Sequence, residues 1–251
     1  MDVCTLTALP VFNEVSHVAP VVDLARRFSD EVLVVDDGSR DGTGQLLRGR
    51  KDIHLVTHEK NRGYGAALAS AFDFALRGGY DVLVTIDCDG QHEPQRIPLF
   101  VEKCLAEEAD IVSGSRYLRQ FPGDSRPPED RRHINRLMTD ELNRRLGLNL
   151  TDAFCGFKAY RVPILAKFEL TETGYAMPLE LWVQAADLGL SIVELPVPLI
   201  YLEEVRSFGG ALDNSAVRLA VYREVLQRSL ARMKRRPGPL LAAPDRRENL
   251  G

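Results

Sequence analysis

Apolar and polar positions come in blocks along the first half of the chain. The runs Val3–Leu9, Glu31–Asp36, Ile53–Thr57, Asp81–Asp87 and Ala109–Gly114 are short and mostly apolar, and the last four end in polar residues or glycine. Continuous runs of this kind are the pattern of strands buried on both faces, as in parallel sheets. Stretches with helical spacing lie between them, near residues 16–28, 41–49, 63–77 and 94–107. Strands alternating with helices predict βαβ units, and so an α/β domain with a mostly parallel central sheet flanked by helices. Asp41 ahead of Gly42-Thr43, and Asn61 ahead of a run rich in Ala and Leu, mark helix starts.

The pattern changes after Gly114. Residues 115–133 hold three prolines and many charges with little periodicity. A loop this long inside a compact domain is usually functional or mobile. A helix is expected at 133–146, a loop entering a strand at 151–161, a helix at 178–189, a strand at 191–195 and a long helix at 212–235. One domain then spans residues 1–236. The tail 237–251 mixes prolines with polar and charged residues and reads as disordered.

Composition narrows the function classes. A net charge of −4 gives no sign of general nucleic-acid affinity. The four cysteines show no C-x-x-C spacing and read as reduced, mostly buried residues of a cytosolic protein. Met1 leads straight into a strand-like run, which leaves no room for a signal peptide. No apolar run approaches the roughly 20 residues needed to span a bilayer. A cytoplasmic location is expected, with any membrane contact peripheral, on the inner face.

Candidate chemistry sits at the strand ends. Residues 82–92 read V-L-V-T-I-D-C-D-G-Q-H. In an extended segment, side chains at i and i+2 point the same way, so Asp87 and Asp89 can present two carboxylates together. Ligands bind at the carboxyl edge of open α/β sheets. Paired hard oxygens there suit Mg²⁺ or Mn²⁺. Three further strand ends carry Pro10-Val11-Phe12-Asn13-Glu14, Asp36-Asp37-Gly38-Ser39 and, beyond the third strand, Asn61-Arg62-Gly63-Tyr64-Gly65. Acids there can accept hydrogen bonds from base N–H groups and ribose hydroxyls, and glycines let backbone approach a ligand closely. Gly63-x-Gly65 is no dinucleotide fingerprint: Leu68 stands at the third glycine position, and the motif follows the third strand rather than the first.

The motifs P-x-x-N-E, V-D-D-G-S-x-D-G-T, N-x-G-x-G, D-x-D-G-Q-H, G-S-R and D-x-x-C-G-F-K-A-Y-R occur in this order. Their order and spacing resemble glycosyltransferase family 2, in the branch of dolichol-phosphate mannose synthase and bacterial polyprenyl-phosphate glycosyltransferases. The resemblance covers about residues 3–235. It implies a GT-A fold, a nucleotide-diphosphate sugar donor, a divalent cation, inversion at the anomeric carbon and a polyprenyl phosphate acceptor. GDP-mannose is the first donor it suggests and UDP-glucose the second.

Carried over by position, Pro10, Phe12 and Glu14 would line the base and ribose pocket, and Asp37 with Asp36 would contact base or ribose. Asp87 would sit by ribose and metal, with Asp89 and Gln91 as the main metal ligands. Asp89 would carry the metal-dependent step, Arg116 would meet the acceptor phosphate, and Arg206 would reach the donor phosphate. Arg132 and Asn135 occupy the place of the family's Arg-x-x-Ser phosphate clamp, with Asn in place of Ser. Ser207-Phe208-Gly209-Gly210 replaces the family's G-x-S-K. Lys158, Glu180 and His92 read as structural residues first.

Other readings stay open at this point. The acceptor could be soluble, or the chain could be an inactive nucleotide-sugar-binding module. The 212–235 helix carries Arg218, Arg223, Arg228, Arg232, Lys234, Arg235 and Arg236. It could lie on anionic lipid or pack on the domain with a solvated charged face.

Overall fold

The computed structural model describes residues 3–106, 109–202 and 207–233. Arg206 and the tail from residue 234 therefore lie outside the described residues. Seven strands form one sheet: β1 (Thr5–Val11), β2 (Glu31–Asp36), β3 (His54–Thr57), β4 (Val82–Thr85), β5 (Ile111–Ser115), β6 (Lys158–Arg161) and β7 (Ile192–Pro196). Their spatial order is β3-β2-β1-β4-β6-β5-β7. All neighbours run parallel except β6, which is antiparallel to both β4 and β5.

Helices cover both faces. They are α1 (Val18–Ala25), α2 (Thr43–Arg48), α3 (Tyr64–Gly78), α4 (Ile97–Ala106), α5 (Glu129–Leu146), α6 (Val162–Leu165), α7 (Met177–Asp187) and α8 (Ser215–Met233). Side chains alternate across each strand, so one run feeds two cores. Leu33 and Val35 of β2 join α3, α5, α7 and α8 on one face. Val32 and Val34 join α1, α2 and α4 on the other. That is why the central strands are apolar at every position.

Three expectations shift. The β4 ladder stops at Thr85, although the Ile86 N–H still bonds the Ala8 carbonyl at 3.1 Å. Asp87 and Asp89 therefore lie beyond the strand, Asp87 just before and Asp89 within a bend at 88–90. Helix α5 starts about a turn earlier than the sequence suggests, at Glu129 behind Pro128, with two acids in its first turn. The 115–128 loop is pinned: Asp124 Oδ1 accepts the Leu199 N–H at 2.9 Å, and the Ser125 N–H bonds the Leu199 carbonyl at 2.7 Å.

Candidate active site

The carboxyl ends of β1, β2 and β4 open into a cleft of about 880 Å³. Pro10, Phe12, Glu14, Asp37, Asp87, Asp89, Gln91, Arg116 and Asn135 all line it. Asp36 and Arg132 are not among its lining residues, although Arg132 lies over the ring of Tyr117, which is. Neighbouring residues at a strand end point to opposite sides. Asp37 faces the cleft, while Asp36 turns under α2, where its Oδ1 accepts the Ser39 N–H at 3.0 Å. A Cβ on Gly44 would come within 2.7 Å of Asp36 Oδ2, so α2 needs glycine there. On α5, Arg132 is exposed and Arg131 lines the cleft instead. Arg131 stands one turn before Asn135 on the same helical face. That i, i+4 spacing was the available signal.

Asp87 is held on three sides. The Tyr64 hydroxyl donates to Oδ1 at 3.0 Å, and His92 Nε2 lies 3.5 Å from Oδ2. A Cβ on Gly156 would reach within 2.1 Å of Oδ2. Only glycine fits at that point of the C-G-F-K segment. Burial would raise the Asp87 carboxyl, but His92 and then Tyr64 outweigh it and hold it below the usual carboxylate range. Asp89 Oδ1 accepts the Gln91 N–H at 3.0 Å.

These residues suit a hard divalent cation. Two carboxylates and an amide oxygen open onto a cleft, and Mg²⁺ and Mn²⁺ keep waters and phosphate oxygens in their remaining positions. Among the described residues no three His, Cys, Asp or Glu side chains form a closed metal cage.

Arg116 does not stand alone. Its Nε donates to Asp152 Oδ2 at 2.6 Å and its Nη2 to Oδ1 at 2.9 Å, while Asn135 Nδ2 donates to the same Oδ1 at 2.7 Å. Asp152 is fully buried. Burial would push its carboxyl up, but the Arg116 guanidinium prevails and brings it down to about 2. Glu194 of β7 braces this point by accepting the N–H groups of Thr151 and Asp152.

An aromatic wall absent from the sequence reading closes the cleft. Tyr64 stacks on Tyr175 with centroids 5.8 Å apart, and Tyr175 meets Phe208 edge-on at 5.4 Å. Arg131 and Arg218 lie over the Phe208 ring at 4.6 and 4.4 Å. Gly63 lines the cleft, and both Gly63 and Gly65 are also needed where this wall packs on α3. A Cβ on either would come within 2.5 Å of the carbonyl oxygens of Thr173 or Glu172. The glycines let the 171–175 segment dock on the start of α3, where the Thr173 carbonyl accepts the Ala66 N–H at 3.1 Å.

Glu180 is buried and accepts the N–H groups of Thr171 and Glu172 at 2.8 and 2.7 Å, so it braces the same segment. Lys158 is buried against the Cys155 carbonyl and the Trp182 ring, and burial lowers its ammonium below the usual lysine range. The α8 arginines are engaged too. Arg218 is buried and donates to Asp130 at 2.6 Å. Arg223 lies 3.7 Å from Glu141, Arg228 2.7 Å from Glu172 and Arg232 3.2 Å from Glu180. Each of the four thus faces an acid of the domain. Lys234, Arg235 and Arg236 lie outside the described residues.

Residues 7–168 match the family model described as "Glycosyl transferase family 2". An undecaprenyl-phosphate mannosyltransferase from Micrococcus luteus is 34% identical over 225 residues, covering 84% of this chain and 90% of its own. A polyprenol monophosphomannose synthase from Mycolicibacterium smegmatis is 34% identical over 205 residues, covering 77% and 76%. Among solved structures, glucosyl-3-phosphoglycerate synthase from Mycobacterium tuberculosis, crystallised with Mn²⁺, UDP and glucosyl-3-phosphoglycerate, superposes with a TM-score of 0.67 at 19% identity. It covers 92% of this chain and 79% of that one. At that identity the likeness speaks for the fold.

Proposed function

The chain belongs to glycosyl transferase family 2, and from that premise we propose that it moves a hexose from a nucleotide-diphosphate sugar to a polyprenyl phosphate, with inversion at the anomeric carbon. Its fold is the GT-A fold that the motif order implies. One observation carries the reading. The acids of the β4 end and the arginines Arg116 and Arg131 line one cleft, although they come from segments far apart in the chain.

The two ends of the cleft divide the work. Pro10, Phe12, Glu14 and Asp37 form the nucleoside end. Asp87, Asp89 and Gln91 form the diphosphate end, where they would hold Mg²⁺ or Mn²⁺. A bound cation would offset the negative charge that develops on the leaving nucleoside diphosphate. Arg206 is assigned to the donor phosphate on the family pattern alone. Arg116, oriented by Asp152 and Asn135, and Arg131 on α5 bind the acceptor phosphate. A guanidinium suits this task because its planar fork matches phosphate oxygens.

In the transfer, an acceptor phosphate oxygen forms a bond to the anomeric carbon as the bond to the donor diphosphate breaks on the opposite face. A phosphate monoester is already anionic at neutral pH. It therefore needs positioning more than deprotonation. That agrees with Glu180, read from the sequence as structural, bracing a loop.

Mannose from GDP-mannose is the first choice of sugar, because two relatives are named for mannose transfer. A lipid-linked acceptor places the reaction at a membrane surface. Among the described residues no helix is long and apolar enough to cross a membrane, so peripheral contact on the cytoplasmic side is the proposed arrangement. The test is to incubate the protein with GDP-mannose or UDP-glucose and Mg²⁺ or Mn²⁺, with and without a short polyprenyl phosphate. A lipid product heavier than the acceptor by one hexosyl residue, its phosphate now a phosphodiester, is expected, with the nucleoside diphosphate released. Donor turnover with no glycolipid formed would refute the acceptor.

A further inference from the structure

His58 follows β3 and is buried behind the cleft wall rather than in it. Its Nδ1 lies 2.6 Å from Asp37 Oδ1, and its Nε2 lies 2.9 Å from the hydroxyl of Ser70 on α3. The Ser70 hydroxyl also lies 3.1 Å from the Ala66 carbonyl, so it is shared between the imidazole and the α3 backbone. Asp37 then turns from the histidine to backbone. Oδ1 also accepts the Arg62 N–H at 2.9 Å, and Oδ2 accepts the Gly63 N–H at 2.8 Å.

One buried line of groups thus ties the ends of β2 and β3 to α3 and to the turn at 61–63. Asp37, Asn61 and Gly63 all line the cleft. The turn lies tightly on the strand end: a Cβ on Gly38, at φ +75°, would come within 2.5 Å of Lys60 backbone. That glycine is required on both counts.

We propose that His58 is a positioning residue of the donor site, acting through Asp37 to fix the Asn61–Gly63 wall beside the nucleoside. The inference rests on the nucleotide-sugar reading of the cleft. A core histidine with no such role would end on core groups. Here the partner carboxylate ends on backbone that forms the cleft. Without its imidazole donor, Asp37 keeps two backbone donors, loses the side chain that fixes its torsion, and no longer holds the turn in one place.

The experiment is calorimetric titration with GDP and with UDP in the presence of Mn²⁺, together with melting temperature and separate KM values for donor and acceptor. His58→Leu fills the volume without a donor and is expected to weaken nucleotide binding roughly tenfold or more. His58→Gln, whose amide reaches toward Ser70, stays weak. His58→Asn places an amide N–H near the Nδ1 position and recovers part of the affinity. Ser70→Ala leaves affinity as it was. The loss appears in donor KM, with acceptor KM little moved.

Equal nucleotide affinity in wild type and His58→Leu would overturn the inference. So would His58→Asn and His58→Gln falling together with melting temperature, because the histidine would then be only a core group. Wild-type protein that binds neither nucleotide would overturn the donor reading itself, and this inference with it.

Discussion

The two walls of the cleft are held by different forces. The nucleoside wall hangs on the ends of β1, β2 and β3, whose register is set by backbone ladders and two apolar cores. The acceptor wall is gathered from the 115–128 loop, α5, the 151–155 segment and α8. It is fastened by charged side chains distant in sequence: Arg116 to Asp152 and Arg218 to Asp130. The first wall takes most of its geometry from the sheet, with the buried His58–Asp37 pair fastening the 61–63 turn to it. The second depends on single ion pairs, so point mutations should damage it in stability as well as in function.

Arg116→Ala tests that difference most severely. It leaves Asp152 fully buried without its guanidinium. Removing one partner of a buried pair costs about 3–5 kcal/mol. Denaturant unfolding should show this loss alongside lost transfer. Asp89→Ala, beyond the end of β4 and outside both apolar cores, should leave the unfolding midpoint nearly unchanged. Transfer should drop ~10²–10³-fold, the scale of losing one transition-state charge contact. A large loss of stability in Asp89→Ala would erase the distinction between the walls.

Arg131→Ala and Arg132→Ala sharpen the acceptor side. Losing a charge-assisted contact to phosphate costs about 1.5–3 kcal/mol, or roughly ten- to a hundredfold in acceptor kcat/KM. That loss is expected for Arg131 and not for the exposed Arg132. Equal losses in steady-state kinetics would return the clamp to the residue the sequence pattern suggests.

The Arg116–Asp152 pair also has a pH signature. Its carboxyl sits at about 2 in the folded protein, against the ordinary value of 3.8. A lowered folded value stabilises above the unfolded pKa, and that stability is lost as pH falls toward the folded one. The shift corresponds to about 2 kcal/mol. Asp152→Asn should therefore be less stable than wild type at pH 7 by about that amount. The gap should narrow between pH 4 and pH 2 in acid unfolding monitored by circular dichroism. A gap constant over that range would show that the carboxylate is not held by charge.

The sequence is legible where the sheet decides the outcome. Five strands of the first half stand within a few residues of the apolar runs that suggested them. The strand-end acids converge because parallel strands share one edge. The misreadings are local. Asp36 was grouped with Asp37, although adjacent strand residues face opposite sides. Gly63 lines the cleft as its motif suggested, but the 171–175 segment that also packs on Gly63 and Gly65 lies too far along the sequence to be foreseen. For helix α8 the sequence left lipid contact and packing on the domain both open, because it shows the arginines and not Asp130, Glu141, Glu172 and Glu180 beside them. The aromatic wall of Tyr64, Tyr175 and Phe208 had no signal, since its members share no spacing.

The measurement that matters most uses two acceptors with the same lipid chain, a polyprenyl phosphate and the free polyprenyl alcohol, at equal concentration with GDP-mannose and Mn²⁺. A cleft that positions a phosphate with Arg116 and Arg131, and that spends Glu180 on bracing a loop, should glycosylate the phosphate and leave the alcohol essentially untouched. Comparable transfer to both, or transfer only to a soluble sugar, would contradict the phosphate-acceptor assignment and point to a base-dependent transferase.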